Sequence, residues 1–168
     1  MFVRQLFLSL LVAFAVNFVS AESFPEELRS DDPDVAKEQN AIYDLILKYQ
    51  TALNSGDTKT ILTLFSPESY SQWNNKPTDD TTEERRKRYK RLFEEEKFET
   101  NFQFDSIEVH GNMAFVRTHH ERGATVVNIK TGYTSIDLNR ELFVLQKING
   151  EWLIRVYMFN TNPIQGEA

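Results

Sequence analysis

The fold is decided by residues 49–57, which read Tyr-Gln-Thr-Ala-Leu-Asn-Ser-Gly-Asp, and by the Ile-Leu-Thr-Leu-Phe run at 61–65. Apolar residues before and within the first stretch recur at helical spacing and form one stripe: Ile42, Leu45, Ile46, Tyr49, Ala52 and Leu53. Gly56 predicts a left-handed end to this helix, which covers about residues 35–54, and Asp57 predicts the cap of a second helix. We therefore expect two consecutive helices that share one apolar core.

A third helix is predicted after a polar segment. Ser66-Pro67 ends the second helix, and residues 68–80 are polar and predict an irregular loop. Thr81 and Glu84 have the spacing of a capping box, and the inner face of the helix that they begin carries Arg85, Tyr89, Leu92 and Phe93. The basic run at 85–91 is flanked by glutamates at i,i+4 spacing, which favours a solvated helix face over a nucleic-acid patch.

The second half of the chain changes to a period of two, which is typical of strands. Gly111-Asn112 predicts one turn, and Asn149-Gly150 is a strong signal for a two-residue type I′ hairpin. The predicted strands cover residues 101–109, 113–121, 125–129, 137–147 and 151–160. Helices followed by hairpins predict an α+β domain with a mainly antiparallel sheet.

The N-terminus has the composition of an export signal. Arg4 precedes an apolar run at 6–16, and the small residues before Glu22 fit a cleavage site. The run is shorter than the roughly 20 residues of a membrane span, although an uncleaved anchor is the alternative. We expect a signal at 1–21, a flexible leader at 22–34, one domain at 35–163 and a tail at 164–168.

Composition excludes several kinds of site. The chain has no cysteine, so disulfides, thiolate metal sites and cysteine nucleophiles are absent. Removing the signal removes one of 19 basic residues and none of the 25 acidic ones, which leaves a net charge of −7. That charge argues against nucleic acid and anionic membranes as partners. An exported chain without cysteines or glycosylation sequons favours a bacterial periplasm or the medium.

The order of these motifs resembles the NTF2-like superfamily, in particular its SnoaL-like and steroid-isomerase-like (DUF4440-type) branches. The resemblance spans about residues 38–163 and depends on the helix ending at 52–57, the strand at 110–116 and the hairpin at 149–152. It implies a cone in which three N-terminal helices pack in a curved, mainly antiparallel sheet around a pocket. It also implies a homodimer that pairs through the sheet.

The resemblance places two functional positions in this chain. Tyr49 stands where steroid-isomerase-like members have a tyrosine that donates to the substrate oxygen. The general base of that family is an aspartate whose place falls near Trp73, and no carboxylate lies between Glu68 and Asp79. This departure argues against ketosteroid isomerisation, because proton transfer needs a base within hydrogen-bond reach.

Counting strand pairs from the two turns identifies the remaining candidate residues. The second hairpin aligns Glu141 with Met158 and Asn139 with Asn160, which predicts polar groups above an apolar pocket base. The first hairpin aligns Asp105 with Thr118 and places His120 on the same face. The hypothesised catalytic residues are Tyr49, Glu141, Asp105 and His120, and the hypothesised ligand contacts are Tyr49, Trp73, Thr118, Asn139, Met158 and Asn160.

Each of these hypotheses has a structural alternative. Glu141 could be a proton-transfer base or could pair with an arginine, and Asp105 with His120 could be an acid–base pair or a hydrogen bond between strands. His119, His120 and Glu121 alternate between faces of a strand, so we expect no metal site and no cofactor. The same counting predicts a dimer through the outer face of the sheet, where it places an apolar, mostly aromatic set of residues: Phe102, Phe104, Phe115, Leu142 and Tyr157.

Three function classes follow from these observations. The first, which we favour, is an exported domain that binds a small, mostly apolar molecule in the cone pocket. The second is an enzyme of isomerase or lyase type that transfers a proton without a metal. The third is a dimeric interaction scaffold with a vestigial pocket.

Overall fold

The computed structural model describes residues 24–74, 76–120 and 124–161. It contains a short 3-10 helix at Glu26–Leu28 and three α-helices: α1 Pro33–Ser55, α2 Thr58–Thr63 and α3 Thr82–Glu95. The strands are β1 Phe65–Gln72, β2 Glu96–Glu99, β3 Gln103–His110, β4 Met113–His119, β5 Ala124–Asn128, β6 Thr134–Asp137, β7 Asn139–Ile148 and β8 Glu151–Thr161. The α+β class is confirmed. The predicted signal at 1–21 and tail at 164–168 lie outside the described residues.

The helix boundaries follow from local capping chemistry. Gly56 ends α1 at a φ of 70°, and Asp57 caps α2 by accepting a hydrogen bond from the Thr60 N–H at 3.0 Å. Thr81 Oγ1 accepts from the Glu84 N–H at 3.2 Å, as the capping box predicts. Within the described residues, no helix is both long and apolar enough to cross a bilayer.

The strands form two sheets. The larger has the order β1-β8-β7-β4-β3 and the smaller the order β2-β5-β6. All pairs are antiparallel except β1 with β8, which is parallel. Helix α1 packs its apolar stripe on the larger sheet, and the fully buried centre of the core consists of Ile42, Ile46, Ala114, Val116, Phe143, Leu145 and Ile154.

The loop predicted at 68–80 is wrong for residues 68–72, and Phe65 is not part of the second helix, because residues 65–72 form β1. The buried positions of this strand include the small polar residues Ser66, Ser69 and Ser71, so hydrophobicity does not alternate along it. Its partner β8 lies more than eighty residues further along the chain. Local pattern therefore could not predict this strand.

The segment predicted as a flexible leader also differs from the structure where it is described. Phe24 is fully buried, and its ring lies 5.7 Å from that of Tyr43 and 6.3 Å from that of Phe104. Arg29 donates to the Phe24 carbonyl at 2.6 Å. The chain therefore contacts the domain from Phe24 onward, before α1 begins at Pro33.

Two register shifts change which side chains face the core. Between β3 and β4 the predicted pair of Ile107 with Val116 is present, but beyond a bulge Phe104 pairs with Thr118. Between β7 and β8 a second shift lies between Val144 and Leu145. Because neighbouring strand residues point to opposite faces, each one-residue shift exchanges the two faces beyond it.

These shifts correct the predicted outer face. Phe102 and Tyr157 belong to the core with 4% and 5% exposure, and Phe104 packs against it. Among the five residues predicted for a dimer surface, Phe115 is the exposed one at 40%, and Leu142 is half-buried. The apolar patch is therefore smaller than the sequence predicts.

Candidate functional site

A cavity of about 220 Å³ lies between α1, α3 and the inner face of the larger sheet. We call it the aromatic cavity, because its walls are mainly ring side chains: Tyr49, Trp73, Tyr89, Phe98, Phe102, Tyr157 and Phe159. A larger depression of about 560 Å³ lies beside Asn54, Lys97 and Val127, but it contains no buried ionisable side chain. The aromatic cavity is therefore the better candidate site.

A buried carboxylate and imidazole lie at the base of the aromatic cavity. Glu141 accepts a hydrogen bond from Thr118 Oγ1 at 2.9 Å, and its other oxygen lies 3.0 Å from His120 Nε2. The side chains of His120 and Glu141 are 1% and 2% exposed. The strand pairing of Thr118 with Glu141 brings these groups together.

The hydrogen bond of the other ring nitrogen, Nδ1, fixes the tautomer of His120. Nδ1 lies 3.2 Å from the Asn101 carbonyl oxygen, which can only accept, so Nδ1 carries a proton. Nε2 and the Glu141 carboxyl group share a hydrogen bond at the wall of the cavity, which places two groups capable of acid–base chemistry side by side.

Three tyrosines surround this pair from different elements. The hydroxyls of Tyr49 and Tyr89 lie 2.6 Å apart, and the Tyr157 ring lies 5.4 Å from that of Tyr49. Burial raises the pKa of all three phenols well above the ordinary value, and the neighbouring Glu141 raises that of Tyr157 further. All three remain protonated and can donate hydrogen bonds.

Amide side chains from α1 position one wall of the cavity. Asn54 Oδ1 accepts from the Thr100 N–H at 2.8 Å, and its Nδ2 donates to the Thr100 carbonyl at 2.9 Å. Gln50 Oε1 accepts from the Phe102 N–H at 2.7 Å. These bonds hold the segment between β2 and β3, so Phe102 is fixed against the base of the cavity.

The structure brings together most of the predicted site residues. Five of them line the aromatic cavity: Tyr49, Trp73, His120, Asn139 and Glu141. Thr118 is 1% exposed and lies behind Glu141, which it orients. Among groups of histidine, aspartate and glutamate in the described residues, none has the geometry of a metal site.

The structure separates the other three predicted residues from the cavity. Asp105 does not pair with His120; it lies 2.9 Å from His119 Nδ1 and 3.8 Å from Arg117. Met158 and Asn160 lie on the opposite face of β8, in a surface depression. The bulges in β3 and β8 cause all three errors, because both predicted registers assumed continuous strands.

Sequence reasoning missed several contributors to the site, among them two tyrosines. Tyr157 was placed on the outer face because of the β8 bulge, and Tyr89 was recognised as inward-facing but not as a cavity residue. The basic run near Tyr89 is mostly exposed, as expected, and Arg85, which was predicted on the inner face, is 1% exposed. Arg85 donates to Ser71 Oγ at 3.1 Å and to the Ser69 carbonyl at 2.9 Å, so it anchors α3 to β1.

Solved structures of known proteins resemble this chain, whereas neither a family model nor a curated protein matches its sequence. A ketosteroid isomerase-like protein from Erwinia carotovora atroseptica SCRI1043 is 23% identical, with a TM-score of 0.67 over 84% of this chain and 100% of that one. An NTF2-like protein with a cystatin-like fold from Novosphingobium aromaticivorans is 14% identical, with a TM-score of 0.64 over 80% and 87%.

A protein of unknown function from Nostoc punctiforme PCC 73102, also with a cystatin-like fold, shares 17% identity. Its TM-score is 0.59 over 79% of this chain and 97% of that chain. Identities this low establish the fold rather than the activity. Together with the helix order, the mixed sheet and the cavity between them, they show that this chain has the NTF2-like, cystatin-like fold.

Proposed function

We propose that this domain binds a small, largely apolar molecule in the aromatic cavity. The observation that carries the proposal is a buried, hydrogen-bonded ionisable pair, His120 with Glu141, at the base of a cavity with aromatic walls. Apolar walls with a few convergent polar groups are typical of small-molecule sites. A domain that needed only a packed core would not gain from burying this pair beside an open cavity.

The same pair supports a second candidate function, proton transfer of isomerase or lyase type. Glu141, together with His120, can accept a proton from carbon next to a carbonyl group, and a protonated tyrosine hydroxyl can donate a hydrogen bond to the enolate oxygen that forms. The carboxylate comes from β7 and not from the loop after α2. The name of the ketosteroid isomerase-like neighbour falls in the same reaction class.

Ligand binding is tested by native mass spectrometry of the protein purified from its own host. We expect an additional mass that corresponds to a retained small molecule. Val126 lines the aromatic cavity, whereas its neighbour Val127 lies on the opposite face of β5. Val126→Trp should remove the additional mass and Val127→Trp should keep it. The proposal is contradicted if the wild-type protein shows no additional mass, or if the Val126→Trp and Val127→Trp variants give the same spectrum.

Proton transfer is tested separately by hydrogen–deuterium exchange at carbon. 1-Indanone is incubated with the protein in deuterated buffer, and loss of the signal of its acidic C–H is followed by NMR. Wild-type protein should accelerate the exchange, and Glu141→Gln should reduce the rate to that of buffer. Equal rates for both proteins eliminate the catalytic candidate and leave the binding function intact.

We also propose that the protein is exported. The support is the composition of residues 1–21, which lie outside the described residues. The intact mass of the exported protein should correspond to a chain that begins at Glu22. A mass that includes Met1 contradicts cleavage.

A further inference from the structure

Three buried polar atoms of the aromatic cavity have no hydrogen-bond partner. They are Trp73 Nε1, Thr100 Oγ1 and Asn139 Oδ1, and all three residues line the cavity. The described residues contain five such atoms in total, and the other two, Arg29 Nε and Ser66 Oγ, belong to residues outside this lining. The unsatisfied polar atoms are therefore concentrated at one site.

This concentration needs a physical explanation. A buried donor or acceptor without a partner costs about 1–3 kcal/mol, and folded proteins leave few of them. The three atoms come from different segments, namely the end of β1, the connection between β2 and β3, and the start of β7. A molecule that enters the cavity and reaches these atoms can supply the missing hydrogen bonds.

The chemistry of the three atoms specifies the complementary groups. The Trp73 indole N–H can only donate and the Asn139 oxygen can only accept, whereas the Thr100 hydroxyl can do either. A fitting molecule therefore carries at least one acceptor and one N–H or O–H donor. Besides His120, the ionisable groups of the lining outside the tyrosines are three carboxylates, Glu95, Glu96 and Glu141, and one lysine, Lys76, a balance that disfavours an anionic ligand.

The size and walls of the cavity specify the body of the molecule. Since a cavity of about 150 Å³ holds one benzene ring, a cavity of about 220 Å³ encloses roughly two fused rings and is too small for four. Phe102, Tyr157 and Phe159 offer ring faces against which a flat molecule can stack.

We propose that the ligand is a neutral, planar, two-ring compound with a carbonyl group next to an N–H or O–H group. The carbonyl accepts from Trp73 Nε1, the N–H or O–H donates to Asn139 Oδ1, and the rings lie against the aromatic walls. This inference rests on the proposed binding function and makes it specific.

Three probes of similar size separate the contributions. 2-Quinolone has the rings, the carbonyl and the N–H; 1-methyl-2-quinolone lacks the N–H; 2-methylnaphthalene lacks both polar groups. Fluorescence titration of the wild-type protein should give the tightest dissociation constant for 2-quinolone. Loss of each hydrogen bond should weaken binding by about two- to tenfold.

Variants assign each hydrogen bond to a residue. In Asn139→Leu, 2-quinolone and its N-methyl derivative should bind equally, because the acceptor for the N–H is gone. Trp73→Phe should weaken both quinolones by a larger factor than 2-methylnaphthalene, because the apolar probe loses only ring contact whereas the quinolones also lose the indole N–H. Trp152→Phe is the matched control. Trp152 lies outside the cavity lining, and its Nε1 donates to Glu38 at a distance of 2.6 Å, so this change should not affect the binding of any probe.

The outcomes separate this inference from the binding function. Equal affinity for 2-methylnaphthalene and 2-quinolone in the wild-type protein overturns the polar requirement and leaves apolar binding intact. If none of the probes binds but Val126→Trp still removes a retained ligand, the ligand class is wrong and the binding function stands. If no probe binds and no ligand is retained, both the ligand class and the binding function are wrong. The wild-type titrations decide the inference even where a variant does not fold.

Discussion

Replacing Glu141 tests whether its carboxylate forms a buried bridge between Thr118 and His120 at the base of the aromatic cavity. Glu141→Leu preserves side-chain size and removes both carboxylate oxygens. Thr118 and His120 Nε2 would then each lose a buried partner at 2.9 and 3.0 Å. Glu141→Gln is the matched change, because its oxygen can accept from Thr118 and its amide can donate to neutral His120.

The magnitudes follow from the number of partners lost. Removing one member of a buried charged pair costs about 3–5 kcal/mol, which we expect for Glu141→Leu. Glutamine keeps both hydrogen bonds without the charge, and a neutral bond is worth about 1 kcal/mol less than a charged one. We therefore expect Glu141→Gln to lower the free energy of unfolding by about 2 kcal/mol for the two bonds.

Urea denaturation followed by tryptophan fluorescence measures these differences. The expected order of unfolding free energies is wild type, then Glu141→Gln, then Glu141→Leu. Equal losses in the two variants would show that the amide cannot replace the carboxylate and would refute the assigned hydrogen-bond directions. A leucine variant as stable as wild type would refute the bridge itself.

Three further predictions concern other parts of the fold. Gly56→Ala should lower the free energy of unfolding by about 1–2 kcal/mol in urea denaturation, because alanine is strained at a φ of 70°. The added Cβ would lie 3.5 Å from Phe93, which is an ordinary contact, so backbone strain is the only cost. An unchanged midpoint contradicts this. The Lys147 hydrogen bond holds the pKa of Glu38 below its ordinary value, so its stabilisation is present above about pH 4.3 and is lost as pH falls through the folded pKa. The stability difference between wild type and Glu38→Gln should therefore shrink in acid, and a constant difference opposes the assignment. Light scattering at micromolar concentration should give a dimer that Phe115→Glu shifts toward monomer, and a monomeric wild type counts against pairing through the sheet.

Features set by neighbouring residues could be predicted from the sequence. The left-handed end of α1 at Gly56 and the hairpin at Asn149-Gly150 follow from local conformational preferences, and both are confirmed, with φ of 53° at Asn149 and 88° at Gly150. The inward face of α3 at Tyr89 follows from helical periodicity. In each case the determining residues lie within one or two turns of each other.

Features set by distant residues could not be predicted in this way. A bulge depends on how two strands fit the whole sheet, and one inserted residue in each of β3 and β8 moved Asp105 and Met158 away from the cavity. The polar strand β1 exists because β8 pairs with it. Glu141 was placed inward because the alternation along β7 puts it on the same face as the apolar Leu145, and it remains inward although its predicted partner Met158 does not.

The indole signals of the protein test the central claim, that the aromatic cavity is a ligand site, most directly. The chain has two tryptophans, so a nitrogen–proton correlation spectrum of labelled protein contains two indole peaks. Trp73 Nε1 is unpaired at the cavity, whereas Trp152 Nε1 is bonded to Glu38. Adding 2-quinolone should shift the Trp73 peak saturably and leave the Trp152 peak in place. A Trp152 peak that shifts while the Trp73 peak stays in place would contradict the claim that the aromatic cavity is the ligand site, and two unchanged peaks would show that the two-ring ligand class is wrong.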